Sequence, residues 1–218
     1  MSVADVVSLL NAVLGFCAIL FLFSEEIRLA FSFILLAILA DGLDGIIARK
    51  TRHGDLGEFL EAMADMTALG IAPAFFVYTV YYELFSADVW YYFGVGVVLV
   101  LFFSLSVIRL ASFHIMKQKD FFIGLPASAS TILIIILAFF EVEVLYVLII
   151  LVVISLVMVC KIRFPKLNSV VLAVATVLIL LTLIFGKDYY GFAPILLFCA
   201  IFIYSVFGPI LLFAKKVK

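Results

Sequence analysis

Residues 41–65 read DGLDGIIARKTRHGDLGEFLEAMAD, and the acidic residues of this stretch decide how the chain is interpreted. Asp41 and Asp44 lie three residues apart in one apolar run, so both project from one face of a helix. Glu61 and Asp65 lie four residues apart near the start of the next run and share a face in the same way. A carboxylate at the centre of a bilayer costs about 2.5–3.5 kcal/mol, so this grouping indicates a function.

The two acidic faces are predicted to meet, because consecutive helices joined by a short loop are normally antiparallel neighbours. Four negative charges in a setting of low dielectric constant need compensation. Two hard divalent cations with oxygen ligands, either Mg²⁺ or Mn²⁺, would supply it. The alternative is that the acids face a polar seam between helices, or form ion pairs with Arg49 and Arg52. The predicted metal ligands are Asp41, Asp44, Glu61 and Asp65.

The composition of the whole chain places these acids in a membrane protein. Of 218 residues, 68% are hydrophobic and 13% are charged, whereas soluble domains are about half apolar and a quarter charged. A water-soluble core could not absorb this excess. The net charge of −1 gives no indication of a nucleic-acid partner. The length fits one integral membrane domain over residues 1–218.

Apolar runs and loop charges predict an all-α, polytopic helix bundle with about eight transmembrane helices. Twelve of the fourteen Lys and Arg residues fall at one set of loop ends, and only Arg28 and Lys187 fall at the other. The positive-inside rule then places both termini and the acidic pocket on the cytoplasmic side of a multi-pass protein of the cell membrane. The predicted spans are 4–23, 27–48, 58–82, 90–113, 126–140, 144–160, 168–186 and 190–213.

Glycine and arginine residues near the acids fit the binding of a phosphorylated ligand. Gly45 and Gly57 would let a bulky ligand approach the backbone closely, although small residues in membrane helices also serve to tighten packing. Arg49 ends the first acidic run, where its guanidinium group could bind a phosphate with two hydrogen bonds. The alternative for Arg49 is an interfacial arginine that only sets the topology.

The segments 41–49 and 57–65 resemble the signature of the CDP-alcohol phosphatidyltransferases, D-x2-D-G-x2-A-R-x8-G-x3-D-x3-D. Two positions depart from that pattern. Seven residues instead of eight separate Arg49 from Gly57, and Glu61 stands where the family has its third aspartate. Glutamate keeps the charge but moves it outward by one methylene group.

Further matches outside the signature resemble the branch of this family that uses serine. Residues 8–15 are similar to T-x2-N-x3-G, and residues 64–74 are similar to A-D-x3-F-G-x-A-P-A. Residues 109–114 are similar to R-L-A-R-F-N but lack the second basic residue and the asparagine. The remaining matches are 122–126 with F-x-G-L-P and 158–165 with M-V-S-x-I-R-F-P.

The resemblance implies a metal-dependent transfer of a phosphatidyl or archaetidyl group from CDP-diacylglycerol or CDP-archaeol to the hydroxyl group of L-serine, with release of CMP. It implies that Asp41, Asp44 and Glu61 bind metal, and that Asp65 is both a ligand and the general base. Homodimers are usual in the family. The residues expected to bind the CDP-lipid are Ser8, Asn11, Gly45, Ala48, Arg49 and Gly57.

The carboxylate of serine calls for a fixed cation, preferably an arginine that can bind both of its oxygens. Arg109 and Arg163 lie at predicted cytoplasmic span ends inside the serine-branch matches, and we expect at least one of them to bind this carboxylate. The alternative is that both are ordinary positive-inside anchors.

Two other functions remain open at this point. Inositol phosphate or glycerol phosphate could replace serine as the acceptor, although the matches at 109–126 and 158–165 favour serine. A cation transporter is the remote alternative. Transporters usually carry internal repeats with a site between them, whereas the four acids here occupy one short stretch without a counterpart in the C-terminal half.

Overall fold

The computed structural model describes residues 3–48, 57–86, 89–115, 121–166 and 169–216. Within these ranges the chain is a bundle of helices with one small two-stranded ribbon. The predicted all-α, polytopic fold is therefore confirmed. The helices are α1 Val3–Phe23, α2 Ile27–Ala48, α3 Gly57–Asp65, α4 Ala72–Ser86, α5 Val89–Ile115, α6 Ala127–Phe139, α7 Val144–Val159, α8 Ser169–Phe185 and α9 Asp188–Lys216.

Each predicted span corresponds to a helix or to a continuous helical segment. The third span combines α3, a π-helical segment at Met66–Ile71 (called the π segment below) and α4. Pro73 is the second residue of α4, two positions after the end of the π segment. The described segments long and apolar enough to cross a bilayer are Val3–Phe23, Gly57–Leu84, Val89–Ser112 and Asp188–Phe213.

Helix α6 is the most enclosed part of the bundle. Its 13 residues extend only about 20 Å at 1.5 Å per residue, which is short of the roughly 30 Å of a bilayer core. Every residue from 129 to 136 is buried, and α6 contacts α2, α4, α5, α7 and α9. It therefore forms the centre around which the longer helices are arranged.

The loops at one end of the bundle are joined by ion pairs. Arg28 at the start of α2 lies 3.8 Å from Asp188, and the Lys187 ammonium lies 3.0 Å from Glu141. The loop charges in the sequence predicted that Arg28 and Lys187 lie on one side of the membrane. The contacts agree that they share one end.

At the opposite end lies a short antiparallel ribbon, which the prediction of an all-α fold did not include. Strand β1 (Phe121–Ile123) pairs with β2 (Arg163–Pro165), so the α5–α6 and α7–α8 connections are hydrogen-bonded to each other. Gly124 ends β1 with φ +78°, and a Cβ atom there would lie 2.0 Å from the Met158 carbonyl oxygen. Only glycine tolerates both the left-handed backbone and this close approach.

Candidate active site

The site is organised around Asp65, the last residue of α3. The Asn11 side chain in α1 is 2% exposed, and its Nδ2 donates a hydrogen bond of 3.0 Å to Asp65 Oδ1. Its own oxygen, Asn11 Oδ1, is buried without a hydrogen-bond partner in the described residues. Asn11 therefore fixes one oxygen of Asp65 and offers an acceptor beside it.

The Asp41 carboxyl group is near enough to that of Asp65 to share a hydrogen bond with it, and Glu61 is near enough to interact with Asp65 electrostatically. Asp41 comes from α2, whereas Glu61 lies one helical turn before Asp65 in α3. The predicted meeting of the two acidic faces is therefore found for these three residues. Their roles as ligands and base stay predictions.

Helix α1 brings the acidic elements together by packing against both α2 and α3. At Gly15 its backbone is so close to the π segment that a Cβ atom would lie 2.7 Å from the Cα of Ala68. Ser8 and Gly57 are also buried, and the Ser8 hydroxyl donates to the Ala4 carbonyl within α1. The small residues of α1 thus set the distance at which Asn11 meets Asp65.

Several predicted site residues lie wholly or partly outside the described residues. Asp44, Gly45 and Ala48 belong to α2 by their backbone, but the surroundings of these residues are outside the described part, and so is all of Arg49. Among the side chains that are described, no group of three or more His, Cys, Asp or Glu residues is arranged to hold a metal ion. The described acids alone are therefore not a complete metal site.

Arg109 lies inside the protein and faces the active-site side of α5. It is 6% exposed, its Nε donates to the Leu125 carbonyl at 3.2 Å, and Tyr204 is a close neighbour. Ser106, one turn earlier on the same face, adjoins Gly70 of the π segment. From Ser106 to Arg109, α5 runs toward the ribbon end, and the chain followed backward from Gly70 to Asp65 runs in the same direction. Arg109 therefore lies closer to the level of Asp65 than Ser106 does.

Arg163 occupies a different environment. It is exposed in β2, and its guanidinium carbon lies 4.7 Å from the centroid of the Phe121 ring. This cation–π contact orients the side chain along the ribbon. Of the two arginines predicted to bind a carboxylate, only Arg109 is buried.

An apolar cavity of about 350 Å³ extends from Asp41 between α2, α6, α8 and α9. Asp41 is the one charged residue among the described residues that line it. Ala129, Ala175 and Ala200 line the wall with small side chains, and Tyr204 closes it near the ribbon. The cavity therefore combines one carboxylate with a mainly apolar lining.

Sequence reasoning missed Tyr204 as part of this region. Its hydroxyl donates to the Pro165 carbonyl at 2.9 Å, and the residue lies near Arg109 and in the cavity wall. A tyrosine inside an apolar run does not by itself predict a site residue, because such a run is equally typical of a lipid-facing helix.

The chain is similar to known proteins over most of its length. The model of the CDP-alcohol phosphatidyltransferase family matches residues 1–206. A Methanocaldococcus jannaschii protein named CDP-diacylglycerol–serine O-phosphatidyltransferase is 31% identical over 216 residues, covering 96% of this chain and 93% of its own length.

Two further relatives carry similar names. The archaetidylserine synthase of Methanothermobacter thermautotrophicus is 30% identical over 171 residues, covering 76% of this chain and 70% of its own. A Bacillus subtilis CDP-diacylglycerol–serine O-phosphatidyltransferase is 31% identical over 132 residues, covering 59% of this chain and 71% of its own.

Proposed function

Since the chain belongs to the CDP-alcohol phosphatidyltransferase family, we propose that this membrane enzyme transfers a phosphatidyl or archaetidyl group from a CDP-lipid to the hydroxyl group of L-serine. The observation that carries the proposal is the proximity of Asp65, Asp41 and Glu61 beside Asn11, with Asp41 also in the lining of an apolar cavity. The names of the relatives support serine as the acceptor.

The donor set fits divalent cations in its chemistry. Carboxylates and an amide oxygen are hard oxygen ligands, and Mg²⁺ is commonly held by one or two carboxylates together with substrate phosphates. Asp41, Asp44, Glu61 and Asp65 would hold two such ions, with the pyrophosphate of the CDP-lipid completing the coordination. When bound, the ions would neutralise the pyrophosphate and stabilise the departing CMP.

The chain's own residues supply a base and fixed positions. Asp65 takes the proton from the serine hydroxyl, and the serine oxygen forms a bond to the lipid-side phosphorus. The bond from this phosphorus to the bridging oxygen breaks, and CMP leaves with the electron pair. Asn11, which donates to one oxygen of Asp65, keeps the carboxylate oriented during the proton transfer.

The apolar cavity suits the lipid part of the donor. The part of the cavity at Asp41 would lie beside the pyrophosphate, and its apolar wall between α6, α8 and α9 would contact the hydrocarbon chains. Gly45, Ala48, Arg49 and Gly57 remain the expected contacts for the cytidine and phosphate groups, together with Ser8 and Asn11. The same cavity could accept acyl or isoprenoid chains.

Two further proposals concern the orientation of the protein in the membrane and its oligomeric state. The basic loops at the ribbon end support a cytoplasmic active site, where serine and the CMP product are soluble. Family resemblance supports a homodimer. The size of the protein in detergent would test the homodimer. Labelling of the exposed Cys160 from one side of the membrane would test the orientation.

The acceptor is tested by the release of CMP. We expect purified protein with CDP-lipid to release CMP only when both L-serine and Mg²⁺ or Mn²⁺ are present, and chelation of the metal to stop the reaction. Release with inositol phosphate or glycerol phosphate but not with serine would overturn the choice of acceptor. Release with none of these alcohols would overturn the proposed activity.

Arg109 is the better-supported contact for the serine carboxylate. Its guanidinium group is buried on the active-site side of α5, whereas Arg163 is exposed and stacked on Phe121. We expect Arg109→Lys to raise the KM for serine at least tenfold while changing the KM for CDP-lipid by less than about threefold. Lysine keeps the positive charge but cannot bind both oxygens of the acceptor carboxylate in the geometry of a guanidinium group. Arg163→Lys is the control.

The opposite result, a normal serine KM in the Arg109 variant and a raised one in the Arg163 variant, would assign the carboxylate to Arg163. Normal values in both variants would remove both arginines from this role. Serinol, which lacks the carboxylate, provides an independent check. It should be a poor acceptor for the wild type and should be affected little by Arg109→Lys.

A further inference from the structure

The π segment separates Asp65 from the regular helix α4. The Ala72 backbone N–H donates to the Thr67 carbonyl, five residues earlier, instead of to the carbonyl four residues earlier. Such a wider turn is rare and is found mostly at functional sites. Here it begins at the residue that follows Asp65, so it controls the direction of the α3 end.

The sequence leaves one carbonyl of this segment without its usual donor. Pro73 has no backbone N–H, so it cannot donate to the Leu69 carbonyl four residues earlier. Leu69 is buried, and a buried carbonyl without a donor is costly in a membrane, where water is absent. A donor from another part of the protein can satisfy this carbonyl.

Thr131 of α6 supplies this donor. Its hydroxyl group donates to the Leu69 carbonyl at 2.9 Å, and the residue is 0% exposed. Most other serine and threonine hydroxyls in the described helices donate to a carbonyl of their own helix, as Thr182 does to Leu178 at 2.8 Å. The Thr131 bond differs because it connects two helices.

The opposite side of the π segment is held by α1, where Gly15 lies against Ala68. The segment is therefore fixed between α1 and α6. Each residue of an α-helix turns by about 100°, so a change from π-helical to α-helical bonding would rotate α3 relative to α4 by roughly that angle. Asp65 would then turn away from Asn11 and Asp41.

We propose that Thr131 is a positioning residue, which holds the π segment through the Leu69 carbonyl and thereby directs the Asp65 carboxylate toward Asn11 and Asp41. The inference rests on the proposed role of Asp65 as the base. The Thr131 hydroxyl donates to a main-chain carbonyl rather than to Asn11 or an acid of the site. It acts through the backbone of the third span.

The first test compares two valine variants. Thr131→Val keeps the shape but removes the donor, and we expect kcat to fall at least tenfold, since a misplacement of about 1 Å can cost roughly 10²-fold. The KM values for both substrates should change by less than about threefold. Thr131→Ser should retain at least half of the wild-type kcat. Thr182→Val, which removes an equally buried hydroxyl bonded within its own helix, should retain wild-type kcat.

A second variant separates positioning from general stability. Pro73→Ala restores a backbone N–H that can donate to Leu69, so Thr131→Val combined with Pro73→Ala should recover the thermal stability lost by Thr131→Val. Because that donor favours regular α-helical bonding, kcat should stay at least tenfold low. If Thr131→Val alone does not fold, the kcat of the double variant provides the test instead.

Wild-type kcat in Thr131→Val, or joint recovery of kcat and stability in the double variant, would overturn the inference. All of these rates are measured with whichever alcohol the wild type accepts. A wild type that rejects serine would therefore contradict the proposed function and still leave the role of Thr131 open to measurement.

Discussion

Asp65→Asn is expected to lower kcat by about 10²–10⁴-fold, the usual contribution of a general base. The amide keeps the size of the carboxylate, and its oxygen can still accept the hydrogen bond from Asn11 Nδ2. It cannot take the proton of the serine hydroxyl, and it is a weaker metal ligand. We expect CDP-lipid binding to stay measurable by calorimetry in detergent.

Asp188→Asn is a matched control for this change. Asp188 is an exposed aspartate that pairs with Arg28 at the opposite end of the bundle, and exposed pairs contribute only about 0–1 kcal/mol to stability. This variant should keep the wild-type rate. An Asp65→Asn variant with more than a tenth of the wild-type rate would exclude Asp65 as the base.

Glu61 gives the second large effect, because it interacts with Asp65 electrostatically and stands where the family has aspartate. Glu61→Gln should lower kcat by roughly 10²-fold or more, since a bound cation contributes several kcal/mol to the transition state. Glu61→Asp, which keeps the charge and restores the family residue, should retain or raise the activity. CMP release at saturating metal measures both.

The control for Glu61 is Glu141→Gln. Glu141 pairs with Lys187 at the end of the bundle remote from the site, so the loss of its charge should leave the rate unchanged. Raising the metal concentration should partly rescue Glu61→Gln if the residue is a ligand. A fully active Gln variant would show that Glu61 does not bind metal.

The sequence predicted the helices well because membrane spans are recognisable by length and hydropathy alone. It also predicted that Asp41, Glu61 and Asp65 lie near one another, since helical spacing determines which residues share a face. The orientation in the membrane and the metal ligands stay predictions. For Asp44 and Arg49, the side-chain environment lies outside the described residues.

Contacts between distant parts of the chain could not be predicted in this way. Asn11 meets Asp65 across 54 residues, and Thr131 meets Leu69 across 62. Periodicity shows which face of a helix is distinctive but not which other helix lies against it. The ribbon between β1 and β2 was missed because strands of three residues leave no recognisable pattern.

The bond between Thr131 and the Leu69 carbonyl also has a consequence in time. Leu69 is synthesised 62 residues before Thr131, which takes roughly 3–12 s at about 5–20 residues per second. During that interval the third span cannot obtain its donor from α6. The orientation of Asp65 therefore cannot be completed before α6 has entered the membrane, although the helices that carry Asn11, Asp41 and Asp65 are all made earlier.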